Sequence, residues 1–189
     1  MLLRGAGTNG RLGSRVRESL GLEHDALRLV DYDVRWPALF AVERERIGGQ
    51  CRLPLRLEHI GGTSIPGMCS KPVLDIAAGR SAGTPFERYV PALRQAGYEH
   101  RGERGVSGRQ FFCRGNPRTH HLHLVEEGGV LWRGYLLLRD YLRTHAEAAR
   151  EFADVKRALA AQYSGDREGY MTAKSVHVQD LLRRATERE

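Results

Sequence analysis

The chain has 189 residues and a formal net charge of +7 at pH 7; 41% of its residues are hydrophobic and 28% are charged. This length and balance are typical of a single globular domain, and they exclude wholesale disorder and a fibrous fold. No apolar run approaches the roughly 18 residues that a membrane-spanning helix needs, so we expect a soluble protein with no membrane partner.

The positive charge is almost entirely arginine, because the chain contains only three lysines: Lys71, Lys156 and Lys174. Basic residues that bind nucleic acid are usually clustered, whereas these basic residues are scattered. A solvated basic surface is therefore favoured, although nucleic acid stays open as a partner and a small polyanionic substrate fits the charge as well. The sequence does not determine the oligomeric state.

The three cysteines, Cys51, Cys69 and Cys113, are far apart and form no Cys-x-x-Cys pair. They predict neither a disulfide framework nor a structural zinc site. A reducing cytoplasm is the expected location.

Three segments are predicted along the chain. Residues 1–24, which begin rich in Gly and Arg, are expected to be a poorly ordered basic extension. Residues 25–128 contain the short apolar runs and are expected to form an α/β body. Residues 129–189 show helical periodicity and predict a C-terminal helical unit packed on the same domain.

Within the body, the pattern predicts a helix at 37–48, with Pro37 in its first turn, and strands at 53–60 and 71–78. In the second strand, Asp75 lies on the face opposite to the aliphatic side chains that flank it. A lone acid in such a strand is costly to bury unless it is paired or lies in a cleft. Asp75 is therefore a candidate site residue, with an ion-paired acid at a strand end as the alternative.

The turn between these strands contains two consecutive glycines that open a short helix. Glycines let the backbone approach a ligand closely, and the exposed N–H groups at a helix start favour an anion. The acid on the next strand is placed to hold a phosphate-bound divalent metal. A plain packing corner is the alternative. The candidate phosphate-binding residues of the turn are Gly61, Gly62, Thr63 and Ser64.

The rest of the body is predicted to contain a helix at 86–96, a hairpin with strands at 98–101 and 110–114, and a strand at 120–125. In the last strand His121 and His123 share one face. Two imidazoles in this arrangement can bind a metal, act as acid and base, or bind phosphate when charged. A buried, hydrogen-bonded histidine pair is the alternative.

Three helices are predicted in the C-terminal unit. The first spans 131–143, the second begins at about residue 145, and the third follows Asp166. Thr144 and Glu147 match a capping box for the second helix. Asp166 is expected to cap the third.

The stretch from Glu58 to Ile76 resembles the GrpB family, whose members carry a segment like EHIGSTxVPGLxxKPxxDI. The resemblance covers roughly Leu29 to Ala185 and implies a nucleotidyltransferase-like α/β (α+β) fold, related to DNA polymerase beta, with a small mixed sheet flanked by helices. Further segments similar to the family follow in family order at 32–37, 118–123, 138–143 and 173–175.

In enzymes of that superfamily a Gly-Gly or Gly-Ser turn is followed by Asp-x-Asp, and the two acids hold the metals that align a nucleoside triphosphate. Here Gly61-Gly62 is followed after twelve residues by Asp75-Ile76-Ala77, so the spacing fits but Ala77 replaces the second acid. The resemblance implies that Mg²⁺, Mn²⁺ or Zn²⁺ would be held by Asp75, His121 and His123. These three are also the implied catalytic residues, together with Glu58. The implied phosphate contacts outside the turn are Lys71, Arg139 and Lys174. A surface position is the alternative for Lys71, and a solvated helix face is favoured for Arg139, Lys174 and also Lys156.

Two functions are consistent with this pattern. The first is a transferase that moves a nucleotidyl or related group from a nucleoside triphosphate to an unknown small acceptor; a metal-independent acid–base reaction in the same cleft is a variant. The second is a non-catalytic ligand-binding or accessory module with a degenerate metal site, because the family resembles domains fused to dephospho-CoA kinase.

Overall fold

The computed structural model describes residues 19–187, and a mixed sheet of five strands organises them. β2 and β5 are parallel neighbours at its centre, and the other strand pairs are antiparallel. Parallel pairing aligns residues that are far apart in sequence, so Asp75 lies beside His121. The sheet order is β1-β2-β5-β4-β3, where β1 is Leu55–Ile60, β2 Leu74–Arg80, β3 Glu99–His100, β4 Gln110–Arg114 and β5 His120–Glu126.

Both faces of the sheet are covered by helices. None of the helices in the described part of the chain is long and apolar enough to cross a bilayer. Short 3-10 turns occur at Gly62–Ser64 and Phe86–Arg88. From Trp36 onward the α-helices are α1 Trp36–Gln50, α2 Val90–Gln95, α3 Val130–Thr144, α4 Ala146–Gln162 and α5 Arg167–Thr186.

The two faces of the sheet have separate cores. On one face Leu122 is fully buried against Ile47 of α1 and Leu93 of α2. On the other face Trp132 of α3 packs against Ala77 of β2. Because side chains alternate along a strand, Asp75 of β2 and His121 and His123 of β5 point to the face that α3 covers.

The last three helices form a third cluster, which includes Leu142, Phe152 and Leu181. This cluster packs against Ile65 and Met68, which directly follow the glycine turn. The turn is therefore held between the sheet and the helical layer.

The N-terminus of α4 differs from the sequence expectation. The predicted capping box is wrong: Thr144 Oγ1 donates to the Asp140 carbonyl at 2.8 Å, and His145 at the N-cap makes no side-chain cap bond. A threonine at a helix end readily turns back to the carbonyl of the preceding turn, which competes with capping the next helix. The predicted cap at Asp166 is confirmed, since it accepts a hydrogen bond from the Gly169 N–H at 2.8 Å.

The helix predicted at 86–96 is divided into a 3-10 turn, Phe86–Arg88, and α2, which begins at Val90. Pro91 lies in the first turn of α2. Proline has no N–H and is tolerated there because that N–H would have no partner within the helix.

The predicted basic extension, residues 1–24, is too long at its C-terminal side. Leu20 and Leu22 are only 4% and 6% exposed, and the Leu22 N–H donates to the Arg118 carbonyl at 2.9 Å. Leu20 packs with Trp36 and Leu74, so its apolar side chain is part of the core. Residues 1–18 of the predicted extension lie outside the described residues.

Leu20→Ala tests whether this short segment belongs to the folded body. We expect the free energy of unfolding to fall by about 2–5 kcal/mol, because the truncation leaves a cavity beside Trp36. Urea unfolding measures the change. Val34→Ala, at a side chain that is 82% exposed, is the control and should change stability by less than about 0.5 kcal/mol. Equal stability of the two variants would exclude Leu20 from the core.

Candidate active site

Asp75, His121 and His123 meet on the sheet face that α3 covers. The parallel register of β2 and β5 pairs Asp75 with His121 and Ala77 with His123. Asp75 Oδ1 accepts hydrogen bonds from His121 Nδ1 at 3.1 Å and from His123 Nε2 at 3.5 Å. The structure therefore brings together the three residues that the sequence singled out.

This arrangement fixes the charge of the carboxyl group. Burial raises the pKa of Asp75, but the hydrogen bonds from His121 and His123 outweigh it and hold that pKa well below the ordinary value. Burial lowers the pKa of His121, against the opposing effect of Asp75. An ionised carboxylate beside a neutral His121 is thus the stable state at neutral pH.

Two atoms of this cluster are left for other partners. Asp75 Oδ2 makes no hydrogen bond within residues 19–187, and the Asp75 side chain is 27% exposed. His121 donates its Nδ1 proton to Asp75, so its buried Nε2 is a bare lone pair, and it has no partner in the described structure. The carboxylate is therefore anchored through one oxygen and available through the other.

Aromatic and basic side chains that the sequence did not single out surround the histidines. The Phe111 ring lies 5.1 Å from the His121 ring and 5.2 Å from the His123 ring, and the Tyr135 ring lies 5.4 Å from His123. Arg109 Nη1 is 3.5 Å from His123 Nδ1. The one available signal was Phe111, which lies on a strand of the predicted hairpin. In the structure Phe111 pairs with His123 of β5.

The glycine turn passes between Asp75 and a lysine. A Cβ at Gly61 would lie 2.7 Å from Asp75 Oδ2, and Gly61 has a φ of 68°. A Cβ at Gly62 would lie 2.6 Å from Ser70 Oγ and 2.8 Å from Lys156 Nζ. Both positions therefore require glycine, because any side chain would displace the charged groups on either side.

The hydroxyl groups of Thr63 and Ser64 hold the turn from inside. Thr63 Oγ1 is 2.9 Å from Nε2 of His59, whose ring stacks on Phe40, and Ser64 Oγ donates to the Gly61 carbonyl at 2.7 Å. Thr63 and Ser64 are 0% and 3% exposed. Both hydroxyls are therefore occupied within the turn, and the Ser64 N–H also donates to the Gly61 carbonyl, at 3.1 Å.

The three lysines of the chain lie within electrostatic reach of Asp75, and Lys156 also contacts the glycine turn. Lys156, expected on a solvated helix face, is 5% exposed, and its Nζ donates to the Cys69 carbonyl. Lys71 and Lys174 are partly buried, and Lys71 Nζ lies 3.5 Å from Met171 Sδ. All three interact electrostatically with Asp75. The glycine turn is thus flanked by three cations and one carboxylate.

Burial makes these cations costly to maintain. It lowers the pKa of Lys71 to about 7 and of Lys156 to about 8, and it also lowers the pKa of Lys174. The other lysines add to the effect at Lys71. An anion bound among them would offset both the desolvation and the mutual repulsion.

Glu58 and Arg139 neutralise each other. Arg139 Nη1 donates to Glu58 Oε2 at 2.8 Å and to the His59 carbonyl at 3.3 Å, and its other nitrogens bond Asp140. Glu58 also accepts from Arg56 at 3.2 Å. The predicted roles of Glu58 as a catalytic oxygen and of Arg139 as a phosphate contact would require this pair to open.

The donor set does not fit the two-metal arrangement that the fold implies. That arrangement uses two carboxylates, whereas Ala77, which is fully buried, lies between Glu58 and His123 in the sheet. Within residues 19–187 no group of three or more His, Cys, Asp or Glu side chains is arranged to hold a metal ion. A single ion on Asp75, His121 and His123 stays a prediction.

The fold of the described residues is nucleotidyltransferase-like. Terminal uridylyl transferase 4 from Trypanosoma brucei, solved with bound dUTP, is similar with a TM-score of 0.51 over 82% of this chain and 55% of that one. Its sequence identity is 15%, so the likeness shows the fold alone.

The chain belongs to the GrpB family. The GrpB protein family matches residues 26–184. The crystal structure of the conserved protein GrpB from Enterococcus faecalis is similar with a TM-score of 0.77 and 26% identity, over 85% of this chain and 98% of that one. A UPF0157 protein of Pseudomonas aeruginosa is 38% identical over 169 residues, which are 86% of this chain and 69% of that protein.

His59, which anchors the glycine turn, gives folding a specific pH dependence. Burial lowers its pKa to about 4, whereas in the unfolded chain it titrates at about 6.5. Between these values the unfolded state binds the proton and the folded state does not, so stability falls as the pH drops.

We expect the free energy of unfolding of His59→Gln to fall less on acidification than that of the wild type, by as much as about 3 kcal/mol. Urea unfolding at several pH values between about 7 and 4.5 measures it. His24→Gln, at a side chain that is 60% exposed, should keep the wild-type slope. Indistinguishable slopes for the wild type and the His59 variant would contradict the assignment.

Proposed function

We propose that the cleft formed by the glycine turn, Asp75 and the three lysines binds a nucleoside triphosphate and transfers a nucleotidyl or related group from it to a small acceptor. The observation that carries the proposal is that Lys71, Lys156 and Lys174 all interact with Asp75, which lies against the glycine turn that Lys156 also contacts. The family and the nucleotidyltransferase-like fold support the same class of reaction.

The lysines would supply the charge that phosphate groups need. Polyphosphate is a ligand that several partly buried ammonium groups can bind together, because each neutralises one anionic oxygen and repulsion among the lysines is relieved. The tight Gly61-Gly62 turn brings backbone N–H groups to the same place, where a side chain would obstruct them. Phosphate is thus bound by side-chain cations and backbone donors.

Asp75 would receive the acceptor. In the transfer step an acceptor hydroxyl oxygen attacks the α-phosphorus, a new O–P bond forms, and the O–P bond to pyrophosphate breaks. The hydroxyl proton passes to Asp75 Oδ2, the oxygen that His121 and His123 do not use. The histidines orient the carboxylate, and the lysines neutralise the departing pyrophosphate.

A non-catalytic binding module is the second candidate function. Ala77, buried and aliphatic where related enzymes place a second acid, favours it. The cleft would then bind its ligand without transferring a group. A metal-independent acid–base reaction is favoured instead by the Asp75–His121 pair with its bare Nε2.

Lys174→Gln tests nucleotide binding. We expect nucleoside triphosphates to bind about tenfold more weakly, since the variant loses one charge-assisted contact. Calorimetric titration with nucleotide measures the change in affinity. Repeating it without metal and with Mg²⁺, Mn²⁺ or Zn²⁺ also tests whether the predicted single metal ion binds. Arg183→Gln, at a side chain of α5 that is 61% exposed, is the matched control. An absence of nucleotide binding by the wild type would refute both the enzyme and the nucleotide-binding module.

Asp75→Asn separates transfer from binding. The amide keeps the shape of the side chain but cannot take the proton, so we expect pyrophosphate release to slow by about 100-fold or more. Triphosphate affinity should change less than it does in Lys174→Gln. Pyrophosphate release with a small-molecule cell extract as the source of acceptors is the measurement. Tight nucleotide binding with no release by the wild type would favour the non-catalytic module.

A further inference from the structure

A cavity of about 800 Å³ lies on the other side of the sheet from the candidate active site. His120 lines this cavity while its neighbour His121 contacts Asp75, because consecutive residues of a strand point to opposite faces. Its volume is within the range of roughly 300–1,000 Å³ that is typical of sites enclosing a small organic ligand. The cavity is separate from the cleft discussed above.

The inner wall of the cavity is a buried cluster of charges around Glu43, whose side chain is 4% exposed. Its carboxylate accepts hydrogen bonds from Arg46 Nε at 2.9 Å, from Arg114 Nη2 at 2.7 Å and from the Tyr98 hydroxyl at 2.6 Å. Two guanidinium groups therefore share one carboxylate.

The remaining groups of this cluster are neutral at neutral pH. Burial, followed by the neighbouring Arg114, holds the pKa of His120 well below its ordinary value. Burial and Glu43 raise the pKa of Tyr98 well above its ordinary value. The cluster thus has one net positive charge.

One donor of Arg114 lacks an acceptor. Its Nε is buried without a partner in residues 19–187, and Nη2 alone makes its hydrogen bonds, to Glu43 and His120. Buried donors are nearly always paired, so an unpaired one needs an explanation. The charge count and the hydrogen-bond count agree that this wall is short of one anionic acceptor.

The charges at the mouth compensate one another. Asp33 is bonded to Arg35 at 2.7 Å and to the Ser19 hydroxyl at 2.6 Å. Arg28 and Asp31 also line the mouth and have opposite charges. The net positive charge of the cavity therefore lies at its inner end, and the wall between is largely apolar, formed by Leu20, Val30, Leu39, Val42, Pro72 and Pro117.

We propose that this cavity binds a small monocarboxylate with a hydrocarbon body, its carboxylate against Arg114 and its body against the apolar wall. One net positive charge matches a monoanion, and the planar guanidinium matches a carboxylate in shape. A multiply charged phosphate would bring more negative charge than the inner wall offsets. The proposal does not depend on the nucleotide function of the other face.

The test is a titration of the full-length protein with acetate, butyrate, hexanoate and benzoate at constant ionic strength, followed by thermal shift and calorimetry. We expect saturable binding that tightens as the hydrocarbon body grows, because more apolar surface is buried. Inorganic phosphate and chloride are the comparison anions. Absence of a saturable response to any of the four carboxylates, or a stronger response to phosphate, overturns the proposal.

Two variants locate the binding site. Arg114→Gln leaves Glu43 paired with Arg46 and should weaken binding of the preferred carboxylate by about tenfold or more. Val42→Trp fills the cavity without touching the charged cluster and should abolish binding even if Arg114→Gln fails to fold. Arg101→Gln, at a surface ion pair with Glu99, is the matched control and should bind as the wild type does. Unchanged binding by Val42→Trp overturns the proposal.

Discussion

The parallel pairing of β2 with β5 is the constraint on which the rest of the structure depends. It aligns Asp75 with His121, although 46 residues separate them, and the pleat then sends alternate side chains to opposite faces. One face gains a carboxylate held by two imidazoles, and the other gains His120 beside the buried Glu43 cluster. A one-residue shift of β5 would exchange the two environments and bury the wrong side chains.

Local patterns predicted the elements of the fold and the centre of the site. Short apolar runs bounded by Gly and Pro located β1 and β2, and alternation along the strand predicted at 120–125 placed His121 and His123 on one face. The resemblance to a known family then implied a small mixed sheet, but the parallel pairing of β2 with β5 was not predicted, because periodicity alone does not contain it. The capping box predicted at Thr144 shows the limit of local patterns. The Asp140 carbonyl and the N–H groups of the next helix compete for the same hydroxyl, and the carbonyl binds it.

Contacts between residues that are far apart in sequence could not be predicted from local patterns. Lys156 is buried against the Cys69 carbonyl, 87 residues away, yet nothing in its helix distinguishes it from a solvated lysine. Glu58 was predicted to be catalytic and Arg139 to contact phosphate, but the two residues, 81 positions apart, form an ion pair with each other. The net charge of the Glu43 cluster likewise depends on contacts among α1, Tyr98, β4 and β5 that no local pattern encodes.

The depressed pKa values of the lysines give the cleft a property that its geometry alone does not reveal. With pKa values of about 7 and 8, Lys71 and Lys156 are incompletely protonated near neutral pH when no ligand is bound. A polyanion raises those pKa values, so its binding must draw protons from the solvent. The empty cleft therefore carries less charge than the occupied one requires, and the heat of binding will depend on the ionisation enthalpy of the buffer.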